Sequence, residues 1–243
     1  MIYLSNLILL LVIKVSNKFG RGIFFKAKIL SSERILKNNF AIQTNFNFIQ
    51  IGANDGVSFD FLYDFVIQRK SSGVVVEPVL DYFKELEFNY RDFTNIIKIN
   101  KAVHPIDKQA LIYKIAQSSL SKYPEWVKGI ASFDREHHKK LKIDSQDVLC
   151  ITVEADNLMN IINDNFQNKK NDYFQVDTEG FDFEVLKMLD FKIIKPSMIK
   201  YEFVNLKTED QKKSAILLRS KGYYLFNELN DTVAIDLKEV KLY

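Results

Sequence analysis

Cysteine, proline and glycine are all scarce in this sequence. Its 243 residues include one cysteine, four prolines and eight glycines. A single cysteine, Cys150, excludes an intramolecular disulfide and a zinc site built from several cysteines. The few prolines and glycines exclude collagen-like and proline-rich disordered chains, and the absence of a long repeat argues against a solenoid or propeller. The apolar fraction of 47% and the charged fraction of 27% are typical of a globular domain.

Positive charge is concentrated in the first part of the chain. Residues 1–47 hold seven basic residues and one acid, which leaves 27 basic and 30 acidic residues for the remainder. This distribution does not produce the basic face that binds nucleic acid, so we expect no nucleic-acid partner. A basic leader on a mildly acidic body is suited to contact with anionic lipid or another acidic partner.

Residues 1–13 form an apolar stretch interrupted only by Ser5 and Asn6. The stretch is too short to span a bilayer, which takes about 20 residues. Lys14 and Lys18 follow it, whereas a secretory signal has its basic residues first. Two interpretations stay open: residues 1–18 are a peripheral membrane anchor, or they form a helix that packs on the domain or on a second copy of the chain. We expect a cytoplasmic protein, with peripheral contact at the inner membrane surface under the first interpretation.

From residue 46 onward, short apolar runs alternate with segments of helical periodicity. Strands are predicted at 46–51, 73–78, 95–103, 109–116, 148–153, 172–177 and 197–203, helices at 58–69, 79–90, 155–166, 181–189 and 208–221, a turn at 168–171, and a hairpin at 223–237. This alternation predicts an α/β fold with a parallel sheet, helices on its faces and a closing antiparallel hairpin. We divide the chain into a helical leader, 1–45, and one domain, 46–243, in which the segment 117–147 is polar, is expected to be irregular, and is an insertion or lid.

The first predicted strand runs into a glycine-containing loop, Gly52-Ala53-Asn54-Asp55-Gly56. Ligands of open parallel sheets bind at the carboxyl ends of the strands. Two glycines four positions apart allow the backbone to approach a ligand closely. Glu77 ends the second predicted strand, where a carboxylate can accept the hydroxyls of an adenosine ribose. Together these residues predict a nucleotide-like ligand.

The chemistry of the loop favours S-adenosylmethionine over NAD. The loop lacks the middle glycine of the dinucleotide fingerprint, and it has no phosphate-binding lysine. Asp55 would repel a diphosphate but would stabilise the sulfonium and ammonium groups of S-adenosylmethionine. The alternative interpretation is that Asp55 only caps the following helix.

Four sequence blocks resemble those of the FkbM-type methyltransferases: FIQIGANDG at 48–56, VVEP at 75–78, NKAV at 100–103 and QVDTEGFD at 175–182. The resemblance spans about residues 46–236. It implies a Rossmann-like class I methyltransferase fold with a mostly parallel seven-stranded sheet. It also implies methyl transfer from S-adenosylmethionine to an oxygen of a sugar, a glycolipid or a small natural product.

The resemblance assigns roles to particular positions. The methionine end of the cofactor would be held by Gly52, Asn54, Asp55 and Gly56. Glu77 would hold the ribose, and Ala102 would lie near the adenine. Ala53 and Pro78 complete the predicted cofactor-binding set. Asn54 departs from the glycine found there in many other methyltransferases, which leaves less room for close backbone approach.

Acidic residues cluster at the ends of two later strands. Asp177, Glu179 and Asp182 follow one predicted strand, and Glu202 ends the next. The acceptor hydroxyl must lose a proton during methyl transfer. Asp177 is the first candidate for the base or for an orienting group, Glu179 the second, and His104, as a neutral imidazole, the third. Such a cluster can also bind Mg²⁺, but no spacing dictates a metal site and we predict none. Asp182 is interpreted as helix N-terminal charge.

The predicted insertion contains further polar and aromatic residues. His137 and His138 are adjacent, and we expect both to be solvated. Trp126 and Tyr123 can stack on a sugar ring or anchor the segment, and both interpretations stay open. Ser119 is a weaker candidate for contact with cofactor or acceptor.

The residues and the resemblance together predict an S-adenosylmethionine-dependent O-methyltransferase acting on a sugar, glycoconjugate or small molecule. We expect a role in polysaccharide biosynthesis, and the many Lys, Asn and Ile residues are typical of an AT-rich bacterial genome. Two alternatives remain: a non-catalytic nucleotide-binding module of the same fold, and an NAD-dependent oxidoreductase.

Overall fold

The computed structural model describes residues 1–19, 30–42, 44–58, 61–106, 108–166 and 170–243. The helices are α1 (Ile2–Lys18), α2 (Ser32–Asn39), α3 (Leu62–Ile67), α4 (Leu80–Asn89), α5 (His137–Lys140), α6 (Leu158–Asn165), α7 (Asp182–Met188) and α8 (Thr208–Ser220). The strands are β1 (Asn45–Ile51), β2 (Lys70–Val76), β3 (Ile96–Ile99), β4 (Ala102–Val103), β5 (Gln109–Ile115), β6 (Ala131–Ser132), β7 (Val148–Asp156), β8 (Tyr173–Val176), β9 (Met198–Glu202), β10 (Tyr224–Glu228) and β11 (Asp231–Ile235). Short 3-10 helices cover Gln117–Lys122, Glu125–Gly129 and Ser145–Asp147. Residues 168–169 of the predicted turn 168–171 lie outside the described residues, as does the leader segment 20–29.

The main sheet has seven strands in the order β10-β11-β9-β8-β1-β2-β3. Strands β3, β2, β1, β8 and β9 are parallel, and β11 runs antiparallel to both of its neighbours. The predicted α/β fold, with a mostly parallel sheet and a closing antiparallel hairpin, is confirmed. Strands β2 and β3 lie on one side of β1. Strands β8 and β9 lie on its other side. Strand order therefore reverses between β1 and β8, and the crevice at their carboxyl ends is the expected ligand site.

A second, four-stranded sheet has the order β4-β7-β5-β6. Our prediction makes 95–103 one strand, but the chain leaves the main sheet after Ile99, and β4 pairs with β7 instead. The Asn100 side chain stabilises this break, because its Nδ2 donates to the carbonyls of Glu77 (2.8 Å) and Pro78 (3.1 Å). The predicted strands 109–116 and 148–153 also belong to this sheet, as the antiparallel pair β5 and β7.

Both faces of the main sheet are buried, as expected for a parallel sheet flanked by helices. Successive residues of β1 point to opposite faces. Phe46 and Phe48 pack with residues of α2, α3 and α4, and Ile49 and Ile51 pack with residues of α6, α7 and α8. Helices thus pack on both faces of β1 at the centre of the sheet. This packing fixes the position of the loop that follows β1.

Helix α1 is fixed to the last residues of the chain by one buried asparagine. Asn6 Nδ2 donates to the carbonyls of Leu237 (2.9 Å) and Val240 (2.7 Å), and Asn6 Oδ1 accepts from the N–H of Leu242 (3.0 Å). Ile13 is buried on the same helix. For this face of α1, the interpretation as a helix packed on the domain is confirmed.

The rest of the α1 surface is apolar and exposed. Its exposed large side chains are Tyr3, Leu4, Leu7, Ile8, Leu11, Val12 and Val15. Among the described residues, no helix combines the length and the hydropathy needed to cross a bilayer.

Candidate active site

A cavity of about 310 Å³ opens at the carboxyl ends of β1, β2, β8 and β9. Its wall includes the predicted site residues Gly52, Ala53, Asn54, Glu77, Pro78, Ala102, Asp177 and Glu179. The predicted residues outside its wall are Asp55, Gly56 and His104. The charged residues of the wall are Glu77, Asp177, Glu179, Glu202, Asp231, Lys101 and Lys200. Carboxylates therefore outnumber lysines, which favours a cationic ligand over an anionic one.

Gly52 brings the end of β1 against the end of β8. Its φ of +75° lies in the left-handed region, and a Cβ there would meet the Asp177 carbonyl oxygen at 1.7 Å. At Gly56, with φ of +79°, a Cβ would meet Leu86 Cδ1 at 2.5 Å. The sequence analysis attributes the glycine pair to close approach of a ligand. In the structure, contacts within the protein already require glycine at both positions.

Asp55 holds the glycine loop together and does not line the cavity. Its carboxylate accepts from the hydroxyl of Ser58 (2.6 Å) and from the N–H groups of Ser58 (2.8 Å) and Val57 (3.0 Å). Burial by itself would raise the pKa of Asp55. The hydrogen bonds from Ser58 and Val57 and the charge of Lys128 have the larger combined effect, so the pKa of Asp55 lies below its usual value. The capping interpretation fits these contacts, although the capped turn is 55–58, because α3 begins only at Leu62.

Glu77 is buried at the end of β2 and orders the same loop. Its Oε2 accepts from the N–H of Asn54 (2.9 Å), and its Oε1 accepts from the N–H of Val79 (2.8 Å). Desolvation raises the pKa of Glu77 to about 7 in spite of these two hydrogen bonds. Each carboxylate oxygen has a second lone pair, so Glu77 can hold the loop and still accept a ligand hydroxyl.

Asn54 is a residue of the cavity wall with an unusual backbone and a buried side-chain oxygen. Its φ of +50° is one that asparagine tolerates better than most residues. Its Oδ1 is buried, and no described atom donates to it. A buried acceptor without a donor costs about 1–3 kcal/mol. Because this oxygen has no accessible surface, a ligand in the cavity could pair with it only after the side chain rotates.

Three carboxylates meet at the cavity rim. Asp177, Glu179 and Glu202 each offer an oxygen within 4.8 Å of the others, which is close enough to hold a metal ion. Asn205 Nδ2 donates to Glu179 Oε2 (2.8 Å) and to Glu202 Oε2 (2.7 Å). Burial and the charges of Asp177 and Glu179 raise the pKa of Glu202 well above its ordinary range. Glu202 is one of the strand-end acids of the sequence, and the structure adds it to the site. Asn205 belongs to no sequence motif, so nothing in the sequence predicts its role.

Asp182 lies behind this rim, in the first turn of α7. It is fully buried, and it accepts from the hydroxyl of Thr178 (3.0 Å) and from the N–H of Glu202 (3.1 Å). Burial and the charge of Glu202 raise the pKa of Asp182 to about 8. The predicted helix N-terminal position is correct, but the side chain links the ends of β8 and β9 and does not project into solvent.

The predicted insertion folds across the cavity and contacts both of its sides. Lys128 pairs with Glu85 of α4 (2.6 Å), and His137 Nε2 lies 2.9 Å from Glu179 Oε2. The segment contains 3-10 helices, β6 and α5, so the expectation of an irregular segment is wrong. Whether it acts as a lid stays a prediction.

The prediction that His137 and His138 are solvated is also wrong. They are 2% and 1% exposed, respectively. Both lie on the single turn of α5, where neighbouring side chains point about 100° apart. One ring can therefore contact Glu179 while the other is enclosed by the protein. Desolvation lowers the pKa of His138 and keeps that imidazole neutral.

The remaining candidate residues of the insertion, Trp126, Tyr123 and Ser119, divide into two groups. Trp126 lines the cavity and is half exposed. The hydroxyls of Tyr123 and Ser119 donate to the two carboxylate oxygens of Asp147, at 2.7 Å and 2.6 Å. Anchoring thus explains Tyr123 and Ser119, whereas Trp126 is placed to contact a ligand.

His104 packs in a small aromatic cluster beside the cavity. Its ring stacks on Phe181 at a centroid distance of 5.7 Å and lies 5.8 Å from the ring of Phe133. Phe133 lines the cavity, but His104 does not. The third candidate base is therefore less well placed than Asp177 and Glu179.

The family model described as "Methyltransferase FkbM domain" matches residues 50–234. The match includes the glycine loop, the end of β2 and the carboxylate rim. The chain belongs to the FkbM methyltransferase family. It is an S-adenosylmethionine-dependent methyltransferase, as the resemblance implied. The interpretations as an NAD-dependent oxidoreductase or a non-catalytic module are set aside.

Several solved structures are similar to this FkbM-family chain. An FkbM methyltransferase from Methylobacillus flagellatus KT has 12% identity over 78% of this chain and 43% of that chain, with a TM-score of 0.48. A fibrillarin pre-rRNA processing protein from Methanococcus jannaschii has 14% identity over 85% and 75%, with a TM-score of 0.43. Fibrillarin from Aeropyrum pernix, with natively bound S-adenosyl-L-methionine, has 10% identity over 86% and 75%, with a TM-score of 0.40. No curated protein sequence matches the chain.

Proposed function

We propose that this FkbM-family enzyme transfers the methyl group of S-adenosylmethionine to a hydroxyl oxygen of a sugar, a glycoconjugate or a small molecule. The observation that carries the proposal is the joining of two features in one cavity. One part of its wall is the glycine loop with Glu77, and the adjacent part is the carboxylate rim. Carboxylates can accept the proton that a hydroxyl must lose. We place the enzyme in bacterial surface-polysaccharide assembly.

The wall of the cavity supports the predicted placement of the cofactor. In this proposal the residues that hold it are Gly52, Ala53, Asn54, Glu77, Pro78 and Ala102. Asn54 contacts the methionine end of the cofactor, and Glu77 accepts from the ribose hydroxyls. Asp55 and Gly56 act indirectly, because they hold the loop in shape. An acceptor rich in phosphates is disfavoured by the excess of carboxylates, so we propose that the enzyme does not act on nucleic acid.

Asp177 is the proposed base. When bound, S-adenosylmethionine supplies an electrophilic methyl group, which would pass to a hydroxyl oxygen in line as the bond between the methyl carbon and sulfur breaks. Asp177 is exposed at the end of β8 and lines the cavity, so it can orient that hydroxyl and take its proton. Glu179 is engaged by Asn205 and His137, and we assign it a positioning role. We do not retain His104 as a candidate.

We propose that methyl transfer needs no metal ion, although the three rim carboxylates are close enough to bind one. Asn205 already bridges Glu179 and Glu202, and the raised pKa of Glu202 keeps a proton on the rim. Both features reduce the uncompensated negative charge that would otherwise attract a cation to this position.

Methyl transfer from radiolabelled S-adenosylmethionine tests the proposed function. The acceptors are methyl α-D-glucopyranoside, methyl α-L-rhamnopyranoside and glucosamine, each with and without EDTA. We expect labelled methyl ethers, formed equally in both conditions. Labelling of the glucosamine amine alone would contradict hydroxyl transfer, and a requirement for added Mg²⁺ after EDTA would contradict the metal-free proposal.

We also propose that α1 binds the inner surface of the cytoplasmic membrane and so anchors the enzyme there. The exposed apolar face of α1 ends beside the exposed Lys14 and Lys18, and residues 1–19 contain no acid. An anionic bilayer supplies an apolar layer for this face and negative charge for the lysines. If α1 packed against α1 of a second copy, the contact would bring together lysines and no acid, so a lipid surface is the better partner.

A further inference from the structure

Three polar side chains form a row across the centre of the main sheet. Gln50 of β1 is level with Gln175 of β8, and Gln175 is level with Lys200 of β9. Residues that are level on neighbouring strands point to the same face of the sheet. All three side chains line the cavity. We call Gln50, Gln175 and Lys200 the polar floor.

The polar floor adjoins an apolar part of the same sheet face. Val75 and Val233 lie at the same level on the flanking strands, and Phe48 lies two residues before Gln50, all within one hydrophobic core. Gln50 and Gln175 are only 5% and 6% exposed. Burying polar groups costs free energy that apolar residues at these positions would not require. Contact with a ligand in the cavity gives a reason for polar residues at these positions.

The chemistry of the floor matches hydroxyl groups. Amides both donate and accept, as hydroxyls do. The Tyr173 hydroxyl donates to Gln175 Oε1 (2.7 Å), which fixes the orientation of that amide. Lys200 Nζ lies 3.0 Å from Asp231 Oδ2, so the lysine charge is compensated. The floor can therefore donate to a neutral ligand without attracting a phosphate.

The floor leads directly to the proposed base. Side chains two residues apart on a strand share a face, and Asp177 and Glu202 each follow a floor residue by two positions. A ring that lies over the floor would bring a hydroxyl toward Asp177. Trp126, which also lines the cavity, offers an apolar surface to the ring.

We propose that the polar floor is the acceptor subsite and that it takes a neutral polyhydroxylated ring, a sugar without phosphate or carboxylate. This inference rests on the proposed function, because it locates the acceptor of that methyl transfer. It goes further by naming the residues that select the acceptor and by excluding sugar phosphates.

Saturation-transfer NMR on the full chain loaded with S-adenosylhomocysteine tests the subsite. The probes are methyl α-D-glucopyranoside, methyl α-L-rhamnopyranoside and glucose 6-phosphate. We expect signals from at least one neutral glycoside, and signals about fivefold weaker from the phosphate. Gln175→Leu and Lys200→Met should each weaken the glycoside signal about fivefold, the scale of one lost hydrogen bond, while the affinity for S-adenosylhomocysteine stays within about threefold.

Two surface variants, Gln68→Leu and Lys195→Met, replace the same residue types outside the cavity wall and should leave the signals unchanged. Thermal unfolding of each variant identifies loss of fold, and Lys200→Arg, which keeps a charged donor, should retain the signal. The inference is overturned if neither glycoside gives a signal, if the phosphate binds as well as the glycosides, or if both floor variants bind like the parent chain. Failure of the parent chain to bind S-adenosylhomocysteine would instead overturn the proposed function, and this inference with it.

Discussion

Asp177 and Glu202 end neighbouring strands, yet their surroundings differ. Asp177 is exposed to the cavity, whereas Glu202 is partly buried, accepts from Asn205 and has a raised pKa. Burial and like charge favour the protonated form of a carboxyl group. Asp177 is thus the better placed of the two to meet an acceptor hydroxyl, and Glu202 is suited to limiting the negative charge of the rim.

Asp177→Asn tests the assignment of the base. Asparagine keeps the shape of the side chain but cannot take a proton, so we expect turnover to fall about 100-fold or more. The calorimetric dissociation constant for S-adenosylmethionine should change by no more than about threefold. Glu184→Gln, a surface change on α7, is the matched control. Unchanged turnover in Asp177→Asn would remove Asp177 from the mechanism.

Glu77→Gln tests the ribose contact. The amide has only one acceptor oxygen, so either a loop N–H group or a ribose hydroxyl loses its partner. We expect cofactor binding to weaken by roughly 1.5–3 kcal/mol, measured by calorimetry. Glu87→Gln, on the exposed side of α4, should bind like the parent chain. Equal binding by the Glu77 variant would contradict the proposed role.

At the scale of elements, hydrophobic periodicity predicts the main sheet because its strands are short, apolar and buried on both faces. It does not predict the second sheet. Strand β4 has only two residues, and β5 pairs with β7 across the whole insertion. Such long-range pairing leaves no periodic signal in the sequence.

The sequence does not predict the ordered structure of the insertion or the grouping of the polar floor, for a related reason. The insertion is held by particular side-chain contacts, such as those of Asp147 and His137, and its polar composition resembles that of a solvated loop. The strand-end acids were predictable because they follow apolar runs. Gln175 and Lys200 lie within strands, and only the sheet register brings them together.

The exposed face of α1 predicts binding to anionic membranes. We expect the full chain to sediment with vesicles of phosphatidylcholine and phosphatidylglycerol, and less with phosphatidylcholine alone. Replacing Leu4 and Leu11 with glutamate should weaken binding at least about tenfold, because both side chains lose their apolar contact. Leu111→Glu is the matched control, because Leu111 is an exposed leucine on β5, away from α1 in the sequence. The membrane assignment would be contradicted if the parent chain formed a dimer and did not bind vesicles, and if the double variant lost that dimer.

For the whole molecule, buried carboxyl groups make stability depend on pH. The pKa values of Glu77 and Asp182 are raised to about 7 and about 8, and that of Glu202 is raised as well. A raised pKa means that the folded chain binds more protons than the unfolded chain. The free energy of unfolding therefore falls as pH rises through this range.

Urea denaturation at about pH 6.5 and about pH 9 measures this effect. We expect lower stability at the higher pH, and Glu202→Gln should reduce the decline by roughly 1 kcal/mol. A free energy of unfolding that is constant or rises over this range would contradict the raised pKa values.

The balance of charge over the whole cavity determines which cofactor it accepts. Both lysines of the wall are paired, Lys101 with Asp156 (2.9 Å) and Lys200 with Asp231 (3.0 Å). Asp177 and Glu179 at the rim therefore set the sign of the field inside the cavity. A cationic sulfonium is stabilised there, and a diphosphate is repelled.

Isothermal titration calorimetry of the full chain with S-adenosylmethionine and with NAD, in the same buffer and salt, tests this central claim most directly. We predict micromolar binding of S-adenosylmethionine and no measurable binding of NAD. Micromolar binding of NAD without binding of S-adenosylmethionine would contradict it.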